Sequence, residues 1–329
     1  MKIQTTKDIL AAATKRAAKV ARAKSTIPVL SHVAVEFDGE TVTITANDSV
    51  RTYSEKFPAQ GEPGQCTIEA DKLAKAANGM KSGEIELTPT QIKQGRSKIK
   101  LESLRYDDFP QPDYGAADDC GITCEQLADA IGFVAHAMPT KDVRHILNGV
   151  HLTNGFCVAT DGHRMAFTEL PYEGPDIIIP ADSARQICAM SGQVMVSDRQ
   201  LVIDGDYSRF STGLIDGKGK YVDWRRVVPK DLAQSVTFDC DAMIAALRTM
   251  ALGGTLVKMT FSDGQIAMVN DGAETAIDFE GQADLVIGYN IQYLIDALST
   301  IGVGAVTMAI QEGRPCLIND NMIVMPVRL

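Results

Sequence analysis

The stretch VATDGHRMA (158–166) occurs in altered form at two other places in the chain, as ITANDSVRT (44–52) and AMVNDGAET (267–275). Each copy reads as a β-rich segment that ends in a polar turn around an aspartate. These aspartates, which are 113 and 110 residues apart, are Asp48, Asp161 and Asp271. A fixed period of this kind is typical of a structural unit written several times.

Helix starts recur with the same period. Each copy contains an early helix and a later helix that follows an Ile-led strand. A Thr, Asp or Asn stands before each helix, and these residues are candidate caps because their side chains accept hydrogen bonds from free backbone N–H groups. The early caps are Thr6, Thr123 and Asp239, and the later ones are Asp71, Asp182 and Asn290. The order helix, strands, helix, strands also suggests a twofold repeat inside each copy. We therefore predict an α+β fold of three repeated domains, each with two helices packed on antiparallel sheets, at 1–116, 117–232 and 233–329.

The composition favours a globular chain of several domains, with 329 residues, 45% of them hydrophobic and 22% charged. No apolar run approaches the ~18–20 residues of a membrane helix, so no membrane partner is expected. Lys2, Lys7 and Asp8 precede any apolar run, which argues against a signal peptide and for a cytoplasmic location. The seven scattered cysteines lack zinc-site spacing. We expect reduced thiols, no metal and no cofactor.

Charge is distributed unevenly along the chain. The total is −10, yet residues 1–24 hold seven Lys or Arg against one Asp, which gives this segment +6 and the rest −16. In the first helix, an apolar stripe of Ile9, Leu10, Ala13, Ala17 and Val20 is opposed by a basic side of Lys15, Lys19 and Arg22, with Lys24 just beyond. This is either the solvated face of an amphipathic helix or a surface that contacts phosphates.

Asp161 and His163 resemble a catalytic pair, and a hydrolase centred on them is one hypothesis. Val50 and Ala273 occupy the histidine position in the other copies, whereas the aspartate recurs. No G-x-S-x-G elbow or comparable cysteine motif supplies a nucleophile. We therefore interpret the aspartate as a turn residue that bonds nearby backbone N–H groups, and we expect His163→Ala to abolish no hydrolytic activity.

With these residues assembled, the chain resembles the bacterial-type sliding clamp, the β subunit of the replicative DNA polymerase III. The resemblance runs from end to end, and its motifs are IPVLSHVAVE (27–36), DVRHILNGV (142–150), VATDGHRMA, LIDGKGKYVDWRRVVPK (214–230) and IVMPVRL (323–329). Val222 stands where the family usually has proline, and Trp224 where it has tyrosine. Such departures fit a divergent, phage-encoded clamp.

The resemblance implies a non-catalytic processivity factor. In the family, each chain is a half-ring of three domains, and two chains close head to tail around duplex DNA. A clamp of this kind needs an ATP-driven loader, and it tethers polymerases and loader subunits through short peptides. The alternative within the same fold is a peptide-binding adaptor that does not encircle DNA. Retention on nicked plasmid in the presence of a loader distinguishes the two.

The resemblance also implies site residues. Lys24 and Lys141 match family positions that meet double-stranded DNA without reading its sequence, and they would join the basic side of the first helix. A peptide cleft between the second and third domains would comprise Leu147, Thr160, Gly162, His163, Arg164, Met165, Val222, Arg226, Val227, Ile323, Val324, Met325, Pro326, Val327 and Arg328. In the dimer, we predict that Arg96 and Lys98 face acidic residues of the other chain, with Glu274, Asp278 and Glu280 as candidates.

Overall fold

One order of elements is written three times along the chain. The structure is a computed structural model that describes residues 1–22, 25–111, 115–216 and 221–328. In each repeat a strand leads into a helix, four or five strands follow, and a second helix precedes three more strands. This confirms the predicted α+β fold of repeated units with two helices each. Each repeat contains the order strand, helix, three strands twice, once in its first half and once in its second half.

The element bounds make the correspondence explicit. The first repeat comprises β1 (Lys2–Thr6), α1 (Lys7–Ala18), β2 (His32–Phe37), β3 (Thr41–Asn47), β4 (Arg51–Pro58), β5 (Gln60–Glu62), β6 (Gly64–Glu69), α2 (Ala70–Gly79), β7 (Glu84–Thr88), β8 (Gln91–Gln94) and β9 (Ser97–Lys100). The second comprises β10 (Asp118–Thr123), α3 (Cys124–Val134), β11 (Gly149–Thr153), β12 (Phe156–Thr160), β13 (Arg164–Glu169), β14 (Ile177–Pro180), α4 (Ala181–Ile187), β15 (Gln193–Val196), β16 (Gln200–Asp204) and β17 (Ser208–Gly213). The third comprises β18 (Gln234–Asp239), α5 (Cys240–Met250), β19 (Leu256–Ser262), β20 (Gln265–Asn270), β21 (Ala273–Asp278), β22 (Glu280–Gln282), β23 (Leu285–Asn290), α6 (Ile291–Ile301), β24 (Ala305–Ile310), β25 (Cys316–Ile318) and β26 (Met322–Val324).

The chain folds into two compact units, Met1–Glu125 with Ala189–Leu214, and Gln126–Cys188 with Ile215–Leu329. Among the described residues, the first unit holds a five-stranded sheet, β5-β1-β7-β8-β9, and an eight-stranded sheet, β10-β15-β16-β17-β4-β3-β2-β6. The second unit holds a nine-stranded sheet, β14-β11-β12-β13-β26-β25-β24-β18-β22, and a four-stranded sheet, β21-β20-β19-β23. Neighbouring strands pair antiparallel, and two of the sheets join strands from successive repeats.

Three of the predicted helix caps are confirmed. The side chain of Thr6 accepts the N–H of Ile9 at 3.5 Å, that of Asp239 accepts from Ala242 at 2.8 Å, and that of Asn290 accepts from Tyr293 at 3.2 Å. Each bond satisfies a backbone donor that the first helical turn leaves open.

The predicted caps Asp71 and Asp182 are wrong by two positions. Helix α2 already begins at Ala70 and α4 at Ala181, so both aspartates lie in the first turn. There a negative charge still favours the positive end of the helix, but no capping bond forms. The cap positions are taken by Glu69 and Pro180, whose side chains make no capping hydrogen bond. Each preceding strand runs directly into its helix.

Helix α1 buries one face against α2 and strands β3 and β4. Leu10, Ala13 and Ala17 are fully buried, as the predicted apolar stripe requires. Ile9 is an exception, since 37% of it is exposed. Thr14 takes part in the buried face because its hydroxyl donates to the carbonyl of Leu10 at 2.7 Å.

The cysteines of the chain form no disulfide bonds. All seven cysteines are free; Cys188 is exposed and the other six are buried. Within the described ranges, no group of three or more His, Cys, Asp or Glu side chains is placed to hold a metal ion. No helix in the described part of the chain has the length and apolar character needed to cross a membrane.

Candidate functional site

The turn between β12 and β13 is built around Asp161. Its Oδ1 accepts the backbone N–H groups of His163 at 2.8 Å and Arg164 at 2.9 Å, and its Oδ2 accepts Arg164 Nε at 3.1 Å. Both carboxylate oxygens are therefore used by the turn. A catalytic aspartate would instead orient the imidazole of its histidine, so the geometry favours the structural interpretation of Asp161.

The equivalent turn of the first repeat has the same bonds. Asp48 Oδ1 accepts the N–H groups of Val50 at 3.0 Å and Arg51 at 2.6 Å, while Oδ2 accepts Arg51 Nη2 at 2.7 Å. In both repeats, the arginine that follows the aspartate by three residues starts a strand. The carboxylate thus closes the turn and neutralises that arginine.

The third repeat departs from this pattern. There Asn270 Oδ1 accepts the N–H of Gly272 at 3.2 Å, whereas Asp271 is exposed and accepts no backbone N–H from another described residue. The prediction for Asp271 is therefore wrong. The bond present in all three turns belongs to the residue before the aspartate, since Asn47 and Thr160 also accept an N–H two residues on.

A pocket of about 110 Å³ opens beside the β12–β13 turn in the second unit. Its wall combines residues of strands β12, β13 and β26, the turn between β12 and β13, and two longer loops, and it is largely apolar with two arginines. The lining residues are Arg144, Leu147, Thr160, Gly162, Arg164, Met165, Val222, Val227, Ile323 and Met325. A small apolar pocket with a few polar groups at its rim is a typical binding site for an apolar side chain.

Buried Trp224 packs against two partly buried phenylalanines in the core cluster that also contains pocket residues. Trp224 lies against Phe156, with ring centroids 5.2 Å apart, and against Phe167 at 4.8 Å. The guanidinium of Arg225 lies 4.4 Å from the Trp224 ring centroid. Trp224 is thus buried in the same core cluster as the pocket residue Leu147.

Backbone hydrogen bonds hold the C-terminal segment of the chain next to the pocket. Strand β26 pairs with β13, and beyond it the N–H of Met325 donates to the carbonyl of His163 at 2.8 Å. The N–H of Val327 donates to the carbonyl of Gly288 at the same distance. Met325 is 36% exposed and so presents a flexible thioether at the pocket mouth.

Two arginines of the pocket wall differ in how they are held. Arg164 donates from Nη1 to Asp296 Oδ2 at 2.6 Å in addition to its bond with Asp161. Arg144 forms a two-pronged pair with Asp142 at 3.0 and 2.8 Å, and it also donates to the carbonyl of Asp161 at 2.9 Å. Arg164 is nearly buried, whereas Arg144 remains half exposed.

The pocket brings together most residues of the predicted cleft, and it adds Arg144, which the sequence did not indicate. Six predicted residues lie outside its lining. Val324 is buried on the opposite side of β26 from Ile323, and the His163 ring faces Tyr293 at 6.4 Å. Arg226 is paired with Asp223 on its own turn. The other three are tail residues, Pro326, Val327 and Arg328.

The basic residues predicted for one side of the first helix are exposed in the first unit, but α1 ends at Ala18, so only Lys15 lies on it, with Lys19 at its C-cap and Arg22 beyond it. Lys15, Lys19 and Arg22 are exposed, and none of the three makes a side-chain hydrogen bond or an ion pair with another described residue. Lys141 is likewise exposed, in the loop that leads to the pocket. The predicted contact Lys24 lies outside the described residues.

Arg16 differs from its neighbour Lys15 on α1, because its charge is already paired with a carboxylate. It forms a two-pronged pair with Glu55, and its Nε lies 3.1 Å from the hydroxyl of Tyr53. That hydroxyl donates to Glu55 at 2.7 Å, and burial raises the pKa of Tyr53. Arg16 therefore ties the helix to strand β4.

Two edge strands carry opposite charge. Strand β9 pairs only with β8, and β21 only with β20, so each leaves a free edge among the described strands. Arg96 and Lys98 are exposed at the first edge, and Glu274 and Asp278 at the second. The remaining predicted interface residue, Glu280, is exposed on β22 in a different sheet.

Three family models match the chain in succession. They describe the DNA polymerase III beta subunit: the N-terminal domain over residues 1–113, the central domain over 121–221 and the C-terminal domain over 225–324. Among curated relatives, the beta sliding clamp of Pseudomonas putida is 28% identical with 95% of each chain covered. That of Caulobacter vibrioides is 26% identical over the whole of both chains.

Solved structures agree with the sequence matches. The DNA polymerase sliding clamp from Pseudomonas aeruginosa solved with a ligand covers both chains completely, at 26% identity and a TM-score of 0.87. A sliding clamp from Bartonella birtlesii bound to griselimycin covers both chains at a TM-score of 0.92 and 24% identity, which shows a shared fold. Motifs, repeats, fold and full-length matches converge, and the chain belongs to the DNA polymerase III beta subunit family, the beta sliding clamps.

Proposed function

We propose that this chain is a sliding clamp that closes as a homodimeric ring around duplex DNA and tethers a replicative polymerase. The full-length match to three successive clamp domains carries the proposal. As a member of this family, the chain is a non-catalytic processivity factor. We place it in the cytoplasm and divide it into clamp domains at 1–116, 117–232 and 233–329.

The exposed basic residues on α1 and in the segment that follows it support a DNA contact that does not depend on sequence. Lys and Arg side chains bind phosphates at any position of the duplex, which leaves the energy nearly flat along the helix axis. Lys15, Lys19 and Arg22 are available for this role, with Lys24 and Lys141 as the positions that the family resemblance adds. The acidic remainder of the chain would keep DNA from binding elsewhere.

Topological retention tests the ring. Purified protein is loaded on nicked circular plasmid by a cognate clamp loader and ATP, and the plasmid is then isolated by gel filtration in high salt. We expect the protein to stay with the circle and to leave after the plasmid is linearised. If the protein dissociated from circular and linear DNA at the same rate, the result would instead support the alternative of a peptide-binding adaptor that does not encircle DNA.

The apolar pocket is the proposed docking site for peptide segments of the polymerase and the clamp loader. Val227 is well exposed at its wall, so Val227→Glu places a charge in the pocket without opening a core cavity. We expect this variant to lose at least about tenfold in polymerase affinity, because a carboxylate must then be desolvated when an apolar side chain binds.

Val303→Glu is the matched control for this experiment. Val303 is also an exposed valine of the second unit, but it follows α6 and takes no part in the pocket. Its substitution should leave the polymerase affinity, measured by surface plasmon resonance, unchanged. Equal affinities for the two variants would show that the pocket is not the docking site.

A further inference from the structure

The first strand after the first helix is covered differently in the third repeat. All five residues of β11 are buried, and in β2 only Glu36 is partly exposed. In β19 burial alternates along the strand, and both Leu256 and Lys258 are exposed. Because successive side chains of a strand point to opposite faces of the sheet, β2 and β11 are covered on both faces, whereas β19 is covered on one.

A short segment supplies the second cover in the first two repeats. In the first repeat, Phe109 shares a buried cluster with Ala34 of β2, and Tyr106 packs against that cluster. In the second repeat, Tyr221 stacks on His151 of β11 with the ring centroids 4.3 Å apart. We call residues 106–109 and 221–224 the cover segments.

The two cover segments share a sequence pattern. They read YDDF (106–109) and YVDW (221–224), which is Tyr, any residue, Asp and an aromatic residue. The final aromatic residues, Phe109 and Trp224, are only 3% and 4% exposed. The aspartates before them, Asp108 and Asp223, remain exposed. The aromatic rings therefore provide the apolar cover, and the carboxylates stay at its surface.

The second face of the sheet in the third repeat has no such cover. Leu256, Val269 and Val286 lie on the neighbouring strands β19, β20 and β23 and are 44%, 46% and 40% exposed. The strand register places Lys258 between Val269 and Gly288. We call Leu256, Lys258, Val269 and Val286 the open face. Apolar side chains that are exposed together beside a polar group are typical of an interaction surface.

Lys258 gives the open face a positive charge that the sheet does not neutralise. Lys258 is exposed, and within the described ranges no carboxylate lies in salt-bridge contact with it. Glu274 is aligned with it through Val269, two strands away, which is about 10 Å. A partner that covers the open face therefore fits best with a carboxylate next to Lys258, because interfaces align opposite charges.

We propose that the open face docks a segment of another protein that carries the pattern Tyr-x-Asp-aromatic. The aromatic side chains of that segment cover the exposed leucine and valines, as the cover segments do within the chain, and its aspartate lies next to Lys258. The acidic residues Glu274 and Asp278 lie on the edge strand β21, so the segment lies over β19 and β23. This inference goes beyond the proposed function, since it involves neither DNA nor the apolar pocket.

A titration with a peptide copied from the first cover segment tests the proposal. Full-length protein with labelled Leu and Val methyl groups is titrated with the acetylated, amidated peptide SLRYDDFPQ, which is residues 103–111 of this chain. We expect saturable NMR shifts of Leu256, Val269 and Val286, with a dissociation constant between about 10 µM and 1 mM, because a free peptide loses conformational freedom on binding. The same peptide with alanine in place of both aromatic residues should bind at least about tenfold more weakly.

Variants of the protein locate the site. Val269→Glu and Val286→Glu each place a carboxylate on the open face and should weaken binding at least about tenfold. Val303→Glu is the matched control, because Val303 is also exposed but follows α6 outside the open face, and it should leave the affinity unchanged. Circular dichroism checks that each variant is folded.

A second peptide tests the charge contact. With Asp107→Asn and Asp108→Asn in the peptide, the wild-type protein should bind about twofold to fivefold more weakly at low salt. Lys258→Met should bind the two peptides equally. If Lys258→Met kept the preference for the aspartate peptide, an acidic segment would be the wrong partner.

Other results would overturn the proposal outright. These are an absence of shifts at the open face, shifts centred instead on the pocket residues Leu147 and Val227, or equal affinities for Val269→Glu and Val303→Glu. If the open-face signals shift with protein concentration when no peptide is present, the face joins copies of this chain and the proposed occupant is wrong.

Discussion

At the scale of single residues, one carboxylate closes the turn beside the pocket. Asp161 accepts two backbone donors and an arginine, so removing it takes one acceptor from each of the three, and the Arg164 side chain is only 13% exposed. We expect Asp161→Ala to cost on the order of 2–4 kcal/mol, seen as a lower urea midpoint of unfolding.

The third repeat offers a matched control for that substitution. Asp271 occupies the equivalent position but is exposed, so Asp271→Ala should change stability by no more than about 0.5 kcal/mol. An equal loss in both variants would mean that the aspartate acts through something other than its turn bonds.

His151 makes stability depend on pH. It is buried and its ring stacks on Tyr221 at 4.3 Å; burial lowers its pKa to about 4, with Asp176 opposing and Arg225 adding to the effect. A lowered folded-state pKa means that the unfolded chain binds the proton more tightly between pH 6.5 and 4. The contribution is full above pH 6.5 and is lost as the pH falls towards 4.

An NMR titration of the His151 ring checks the midpoint directly, and urea unfolding at several pH values checks the linkage. We expect the loss of stability between pH 6.5 and 4 to be smaller in His151→Gln than in the wild type, by up to about 3 kcal/mol. A His151 midpoint near 6.5 would contradict the prediction.

Residue-level prediction from sequence worked where the chemistry is local. Thr6, Asp239 and Asn290 cap their helices because capping needs only neighbouring backbone. Asp71 was wrong because α2 begins at Ala70, so the cap position falls on Glu69, whose side chain makes no capping bond. Arg144 escaped notice because its place in the pocket wall depends on Asp142 and on the distant carbonyl of Asp161.

At the scale of elements, two neighbouring basic residues of α1 are expected to have different roles, one in DNA binding and one in stability. Lys15 and Arg16 are adjacent basic residues, but only Arg16 is paired, with Glu55 of β4. Lys15→Met should lower DNA affinity and reduce the slope of log K against log salt by about one, because the variant neutralises one phosphate fewer. Its effect on stability should be small.

Arg16→Met should behave in the opposite way. It leaves Glu55 poorly exposed and without its guanidinium, so we expect a loss of stability on the order of 2 kcal/mol with little change in the salt slope. DNA titrations at several salt concentrations, together with thermal unfolding, measure both. If Arg16→Met lost more DNA affinity than Lys15→Met, Arg16 rather than Lys15 would be the residue that contacts DNA.

The elements themselves were largely predictable, since periodic apolar positions and repeated turns gave three copies of the same order. Pairing between strands far apart in sequence was not. Nothing local in the segment 208–213 indicates that β17 pairs with β4, because an edge strand of either repeat offers the same donors and acceptors.

At the scale of the whole molecule, the dimer is expected to join the free edges of β9 and β21. If Arg96 faces the acidic candidates Glu274, Asp278 and Glu280 of the other chain, Arg96→Glu should weaken the dimer about twofold to fivefold at low salt, since exposed pairs contribute only ~0–1 kcal/mol each. Sedimentation velocity over a concentration series measures the constant.

The exchanged pair is the decisive control. Arg96→Glu combined with Glu274→Arg should recover most of the dimer, and high salt should reduce the difference between all three proteins. A dimer constant that is indifferent to Arg96→Glu at low salt would place the charge contact elsewhere.

The pairing of β17 with β4 and of β13 with β26 has a consequence for engineering. The central repeat shares one sheet with the repeat before it and another with the repeat after it, so a sequence-defined domain is not a self-contained part. A hybrid that borrows residues 117–232 from another clamp must match two foreign strand edges at once. Residues 1–116 expressed alone would present β4 as an unprotected edge, open to aggregation.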